Sequence, residues 1–224
     1  MAYTLVIGTQ NWSSWSLRPY VALHAVGAPF QTQVIRLRVR PPEPVTTRDE
    51  ILKHSAAGKV PVLKIDENGK TVTVWDSLAI CETLAERHPQ AGLWPADPDI
   101  RAIARSYASE MHSGFPDLRD QLGMDFARRL PLPELRDETS RQVTRIVAAW
   151  QSALKTYKGA YLFGDTLGVA DCMYAPVVSR FVTYGVEVPP IVQAYVERIF
   201  ALPAMQEWGK AAQQEVDAGL MPPA

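Results

Sequence analysis

The 224 residues are 47% hydrophobic and 21% charged, enough chain for one large domain or two small ones with a real core. A formal net charge of -1 excludes a global attraction to nucleic acid or anionic membranes, so any anion must be held by a local site. No apolar run approaches the roughly 20 residues of a membrane span, and the opening MAYTLVIGTQNW lacks the basic and apolar regions of a signal peptide.

Taken in chain order, Thr4 to Gly8 (TLVIG) reads as a strand and Ser16 to Val26 as a helix stopped by Gly27. Gln33 to Leu37 is a second strand, giving a βαβ unit with a parallel pair. The stretch from Arg38 to Arg48 is polar and proline-rich and reads as a loop; Asp49 to Ser55 supplies one or two helical turns. Val60 to Ile65 and Thr71 to Trp75 are strands joined through Asn68-Gly69, a strong hairpin signal. A helix then runs from Ser77 to Arg87. Residues 88–98, with three prolines and a glycine, form a linker between a first domain over 1–87 and a second over 99–224. Beyond it only helices are expected: Ile100 to Leu122, Leu135 to Tyr157, Val169 to Phe181, Ile191 to Leu202 and Ala204 to Asp217.

Several short patterns carry candidate chemistry. Ser77 can cap the helix that it opens. The same free N–H groups and dipole can hold a ligand carboxylate while Asp76 pairs with an amine. Val60-Pro61 starts a strand, where proline is allowed. Lys59 beside it is either solvated or a partner for an anion. Ser13, Ser14 and Ser16 either cap the first helix or donate a hydrogen bond to a thiolate, which otherwise forms poorly at neutral pH because a free thiol has a pKa of about 8.5. Tyr107, Met111, His112 and Phe115 recur near helical spacing, as core or as pocket wall. Cys81 and Cys172 are too few and too far apart for a redox pair or a zinc site, and suit buried thiols in a reduced, cytoplasmic setting. No glycine-rich phosphate loop is present, so neither a nucleotide nor a metal is expected.

In one order along the chain, Ser13-Ser14-Trp15-Ser16-Leu17-Arg18, Gly58-Lys59-Val60-Pro61-Val62-Leu63, Trp75-Asp76-Ser77-Leu78-Ala79-Ile80 and Gly164-Asp165 through Val169-Ala170-Asp171 resemble the cytosolic glutathione S-transferases. The serine-rich turn is similar to that of their zeta class. The resemblance implies a thioredoxin-like N-terminal domain followed by an all-helical bundle, and a homodimer. It implies that Ser13, or failing it Ser14, activates the thiol of glutathione as co-substrate. Asp76 and Ser77 would hold the γ-glutamyl group, the backbone of Val60 before a cis Pro61 the cysteinyl part, and Lys59 the glycyl carboxylate. Trp15, Tyr107, Met111, His112 and Phe115 would border the second, partly apolar electrophile.

Two positions depart from the family pattern. Trp15 stands where zeta and beta classes often have cysteine, which disfavours mixed-disulfide chemistry. Gly168 stands where Ser or Thr usually precedes Asp171, leaving half of a capping box. The activity expected is glutathione transfer. The alternatives are a maleylacetoacetate isomerase-like or peroxidase activity, or a non-catalytic binding or regulatory protein on the same fold.

Overall fold

The structure is a computed structural model that describes residues 1–38 and 45–220. Most of the expected loop at 38–48 therefore lies outside the described residues. The first part of the chain runs β1 (Ala2–Gly8), α1 (Ser14–Ala25), β2 (Phe30–Ile35), α2 (Thr47–Leu52), β3 (Val62–Glu67), β4 (Lys70–Val74) and α3 (Ser77–Arg87). The strands form one mixed sheet in the order β2-β1-β3-β4. β1 pairs in parallel with β2, Tyr3 facing Phe30 and Gly8 facing Ile35. β3 runs antiparallel to β1, with Val6 opposite Val62, and β4 folds back on β3. The turn between them places Asn68 at φ 52 and Gly69 at φ 73, the left-handed pair that a two-residue hairpin loop requires.

Both faces of β1 are covered. Tyr3, Leu5 and Ile7 join the main core with Leu17, Val21 and Ile80, while Val6 packs with Ile35, Ile51 and Val62. Period-2 alternation explains this split, because successive side chains leave a strand on opposite faces.

After a 3-10 turn at Pro89–Ala91, the chain is helical: α4 (Pro98–Ser113), α5 (Pro116–Gln121), α6 (Asp137–Tyr157), α7 (Val169–Tyr184), α8 (Pro190–Phe200) and α9 (Pro203–Asp217). α7 is buried along nearly its whole length and packs against α1, α4 and α8. Among the described residues no helix is long and apolar enough to cross a membrane.

Three sequence expectations are corrected. The helix expected over 100–122 is broken at Gly114-Phe115-Pro116. Pro116 has no N–H to continue the ladder, and Phe115 takes φ 59. The first helix starts at Ser14, two residues earlier than its apolar pattern indicates. The cap of α3 is Asp76, whose carboxylate accepts from the N–H groups of Leu78 and Ala79; Ser77 is the first helical residue and fully buried.

Two tethers position the site. Asp171 is wholly buried at the start of α7; its carboxyl accepts from the N–H groups of Leu162 (3.1 Å) and Gly168 (2.9 Å) and from the Tyr195 hydroxyl (2.9 Å). Burial pushes its pKa up to about 6, against the pull of those three donors. The second tether holds the turn after β1. The Glu215 carboxylate of α9 accepts from the N–H groups of Gln10 and Asn11, both at 2.8 Å, and the indole of Trp208 donates to the Gln10 carbonyl at 2.7 Å. The Asn11 side chain reaches across to Asp125 and Ala127.

Candidate active site

A cavity of about 510 Å³ opens where the sheet layer meets α4, lined by Trp15, Lys59, Val60, Pro61, Asp76, Ser77 and His112 together with Ile51, Ala57, Gly58 and Trp75. Residues from three separate sequence motifs thus share one concave surface. The Val60-Pro61 bond is cis. A larger cavity, about 670 Å³, lies behind the linker around Leu93, Trp94 and Arg101; none of the motif residues from the first three patterns lines it. Volume alone favours that cavity; convergent polar groups favour the smaller one.

Ser13 occupies the cap position of α1 and is buried. Its hydroxyl donates to Ser16 Oγ at 2.7 Å, and Ser16 Oγ also accepts from the Gly8 N–H at 3.1 Å. Ser14 is buried as the first residue of α1. Neither serine lines the cavity; both directly precede Trp15, which does. Of the helical stripe, only His112 reaches the cavity. Met111 is fully buried in the core, as is Phe115 nearly so, and Tyr107 donates its hydroxyl to the Ala149 carbonyl while packing on Phe163. The break at Gly114 re-aims Phe115, and Met111 is taken into the main core, where α4 packs on α7.

His112 Nε2 lies 2.9 Å from Asp76 Oδ2. Burial lowers the His112 pKa below its ordinary value; Asp76 opposes this, and Arg18 and Arg119 add to it. The imidazole also meets the Trp15 ring edge-on, with centroids 5.4 Å apart.

The sequence reading missed the strongest charge feature of the site. Three arginines, Arg18 on α1, Arg119 on α5 and Arg180 on α7, converge behind Trp15. The guanidinium carbons of Arg18 and Arg119 lie 4.2 and 4.7 Å from the Trp15 ring centroid. Arg18 is fully buried. Burial first, then the neighbouring Arg119 and Arg180 cations, push its pKa well below the ordinary range. Arg180 is lowered to about 9 by burial and by Arg119; its guanidinium donates to the carbonyls of Leu122 and Pro176. None of the three forms an ion pair with a carboxylate among the described residues. A signal was present in the sequence: Arg18 and Arg180 each interrupt an apolar helical run, LRPYVAL and VVSRFV.

Comparison with known proteins agrees with the fold. A glutathione S-transferase N-terminal domain model matches residues 12–87 and a glutathione S-transferase C-terminal domain model matches residues 133–198. Maleylacetoacetate isomerase of Rattus norvegicus is 29% identical over 164 residues, 72% of this chain and 73% of that protein. A Burkholderia glutathione transferase homologue, solved with bound glutathione, superposes with a TM-score of 0.70 at 25% identity, covering 96% of this chain and 99% of the other. A sphingomonad glutathione S-transferase complexed with glutathione gives 0.67 at 27% identity, over 94% and 98%. A thioredoxin-like sheet with a helical bundle, and a cavity formed by the cis-proline loop and the Asp-Ser helix start, define a glutathione-transferase architecture. The two domain models together span more than half of the chain, which belongs to the glutathione S-transferase family.

Proposed function

We propose that the chain is a glutathione-dependent enzyme that transfers the glutathione thiolate to a small, partly apolar electrophile. The observation that carries this reading is the shared cavity of Lys59, Val60, Pro61, Asp76 and Ser77. The N-terminus of α3 supplies its positive dipole end, with the Ser77 hydroxyl as donor, for the γ-glutamyl carboxylate, and Asp76 supplies negative charge for its ammonium. The N–H and C=O of Val60 pair with the cysteinyl backbone as an added strand would. That leaves the sulfur beside the Ser13–Trp15 turn at the start of α1.

There the Ser13 hydroxyl turns from Ser16 toward the sulfur and donates to it, stabilising the thiolate together with the α1 dipole. The thiol proton leaves to solvent, the sulfur lone pair forms a bond to the electrophilic carbon, and the electrons displaced there depart with a leaving group or onto a conjugated carbonyl. Trp15 offers an apolar wall and no second thiol.

A second reading is favoured by the rat relative's name. With a conjugated cis-alkene, thiolate addition turns the double bond into a single bond, rotation follows, and expulsion of the thiolate restores the alkene as its trans isomer. Glutathione is then regenerated rather than consumed.

Domains of 1–87 and 99–224 joined by 88–98, a homodimeric assembly and a cytoplasmic location belong to the same reading. Free, buried Cys81 and Cys172 suit reducing conditions, and exposed Val72, Trp75 and Ile103 offer apolar surface to a second copy. Sedimentation at micromolar concentration tests the dimer.

The deciding experiment is calorimetric titration of the chain with glutathione, followed by a turnover screen against aryl halides, epoxides, peroxides and maleylacetoacetate. Saturable binding with glutathione consumed supports transfer; isomerised product with glutathione unchanged supports the second reading. Binding without turnover of any class would identify a non-catalytic ligand-binding protein, and no binding overturns the proposal.

A further inference from the structure

Resting on the glutathione reading, we propose that Arg18 is a positioning residue: the buried counter-charge of the γ-glutamyl carboxylate, acting on it through Ser77. The first observation is a chain of contacts. Arg18 Nη1 donates to Ser77 Oγ at 3.4 Å, and Ser77 lies at the floor of the cavity. A serine hydroxyl has one proton. With its oxygen already accepting from Arg18, that proton is free to be donated into the cavity, toward an acceptor. Asp76, the neighbouring acid, spends one oxygen on the N–H groups of Leu78 and Ala79 and the other on His112.

The second observation is what Arg18 lacks. Its side chain is fully buried, and its Nε and Nη2 have no hydrogen-bond partner among the described residues. A buried cation ordinarily persists only when paired and hydrogen-bonded, because the desolvation penalty is otherwise uncompensated. Here it lies near two further cations, Arg119 and Arg180; Asp76 acts on it only from beyond ion-pair distance, and no carboxylate comes within that distance of any of the three among the described residues. The Trp15 ring face gives Arg18 partial relief by a cation–π contact. Such a group costs stability in the free protein and recovers it when an anion docks one hydrogen bond away. The anion that the cavity geometry brings to Ser77 is a carboxylate.

This assignment separates Arg18 from a structural arginine. Replacing an unpaired buried cation by an apolar side chain of similar length is neutral or stabilising in the free protein. Removing a structural arginine is not.

The test compares wild type with Arg18→Met for thermal stability without ligand, and for binding of glutathione and of glutathione whose γ-glutamyl α-carboxylate is an amide. Expected are an Arg18→Met protein at least as heat-stable as wild type, glutathione bound roughly tenfold or more weakly, and the amide analogue bound alike by both proteins, with the wild-type preference for the carboxylate gone. Arg18→Lys, which keeps the charge without the planar fork, restores part of that preference. Weakening of both ligands by the same factor, with lowered stability, would make Arg18 structural and overturn the proposal. So would an Arg18→Met protein that still prefers the carboxylate. If Arg18→Met does not fold, a wild-type carboxylate preference retained in Arg18→Gln overturns it, and one lost there supports it. A wild type that binds neither ligand overturns the glutathione reading itself.

Discussion

The His112 imidazole and the Asp76 carboxylate meet at 2.9 Å across the mouth of the cavity, joining the first helix of the bundle to the cap of the last helix of the sheet domain. This contact has a pH signature. The folded-state pKa of His112 lies below the ordinary 6.5, chiefly through burial. At pH values below 6.5 the unfolded chain therefore binds a proton that the folded chain resists, and stability falls as pH falls through that range. His24 and His54 are lowered by burial as well, so the useful quantity is the difference between wild type and His112→Gln. Thermal melts between about pH 5 and 8 are expected to converge toward acid, because wild type loses more there. Parallel curves would assign the acid loss elsewhere.

Ser13→Ala is expected to raise the pKa of the bound glutathione thiol by about 1–2, the equivalent of a hydrogen bond to a charged group, with little change in affinity. Ser16→Ala is expected to give a smaller rise, since Ser16 orients Ser13 at 2.7 Å. Ultraviolet thiolate absorbance against pH reads both. A shift in Ser14→Ala but not in Ser13→Ala would move the role by one residue, and no shift in either would leave the thiolate to the helix dipole and the nearby cations.

Gly159 is fixed by a close backbone approach. A Cβ there would sit 2.1 Å from the carbonyl carbon and oxygen of Gly164, and the narrow Tyr161–Gly164 bridge gives it no room. Gly159→Ala is expected to cost about 3 kcal/mol or more, read by urea denaturation. A loss under about 1 kcal/mol would mean that this turn yields readily.

Asp171 accepts from three donors and meets no cation among the described residues, so Asp171→Asn turns one of its acceptors into a donor facing a donor. A loss of about 2–4 kcal/mol is expected. The sign of its pH dependence is also defined. The folded pKa of about 6 exceeds the ordinary 3.8, so the wild-type carboxyl contributes most below 3.8 and progressively less as pH rises to about 6. The gap between wild type and Asp171→Asn should narrow over that interval in chemical-denaturation curves. A gap that widens would show a carboxylate already ionised in the fold.

The order of elements was legible because each local signal was strong: TLVIG is a strand, Asn68-Gly69 is a hairpin turn, and the proline pairs separate helices. Boundaries slipped where periodicity and backbone chemistry disagreed. Leu118 and Leu122 continue the apolar spacing of α4, so the period ran through a break that Gly114 and Pro116 impose. Asp76 and Ser77 are both good caps, and only the backbone path decides which side chain faces the free N–H groups. The cavity residues Lys59, Val60, Pro61, Asp76 and Ser77 could be read from their motifs. The convergence of Arg18, Arg119 and Arg180 could not, since they lie on three helices far apart in sequence, and spacing along the chain holds no record of which helices touch.

The tether from Glu215 to Gln10 and Asn11 gives the molecule an order of assembly. The turn that leads into Ser13 and α1 lies about 200 residues before its partner in sequence, yet its Gln10 and Asn11 donors are satisfied only when α9 docks. A chain whose α9 is undocked thus holds the Trp15 wall of its cavity without its clamp. A change in α9 is, for this protein, felt at a cavity wall about 200 residues away along the chain.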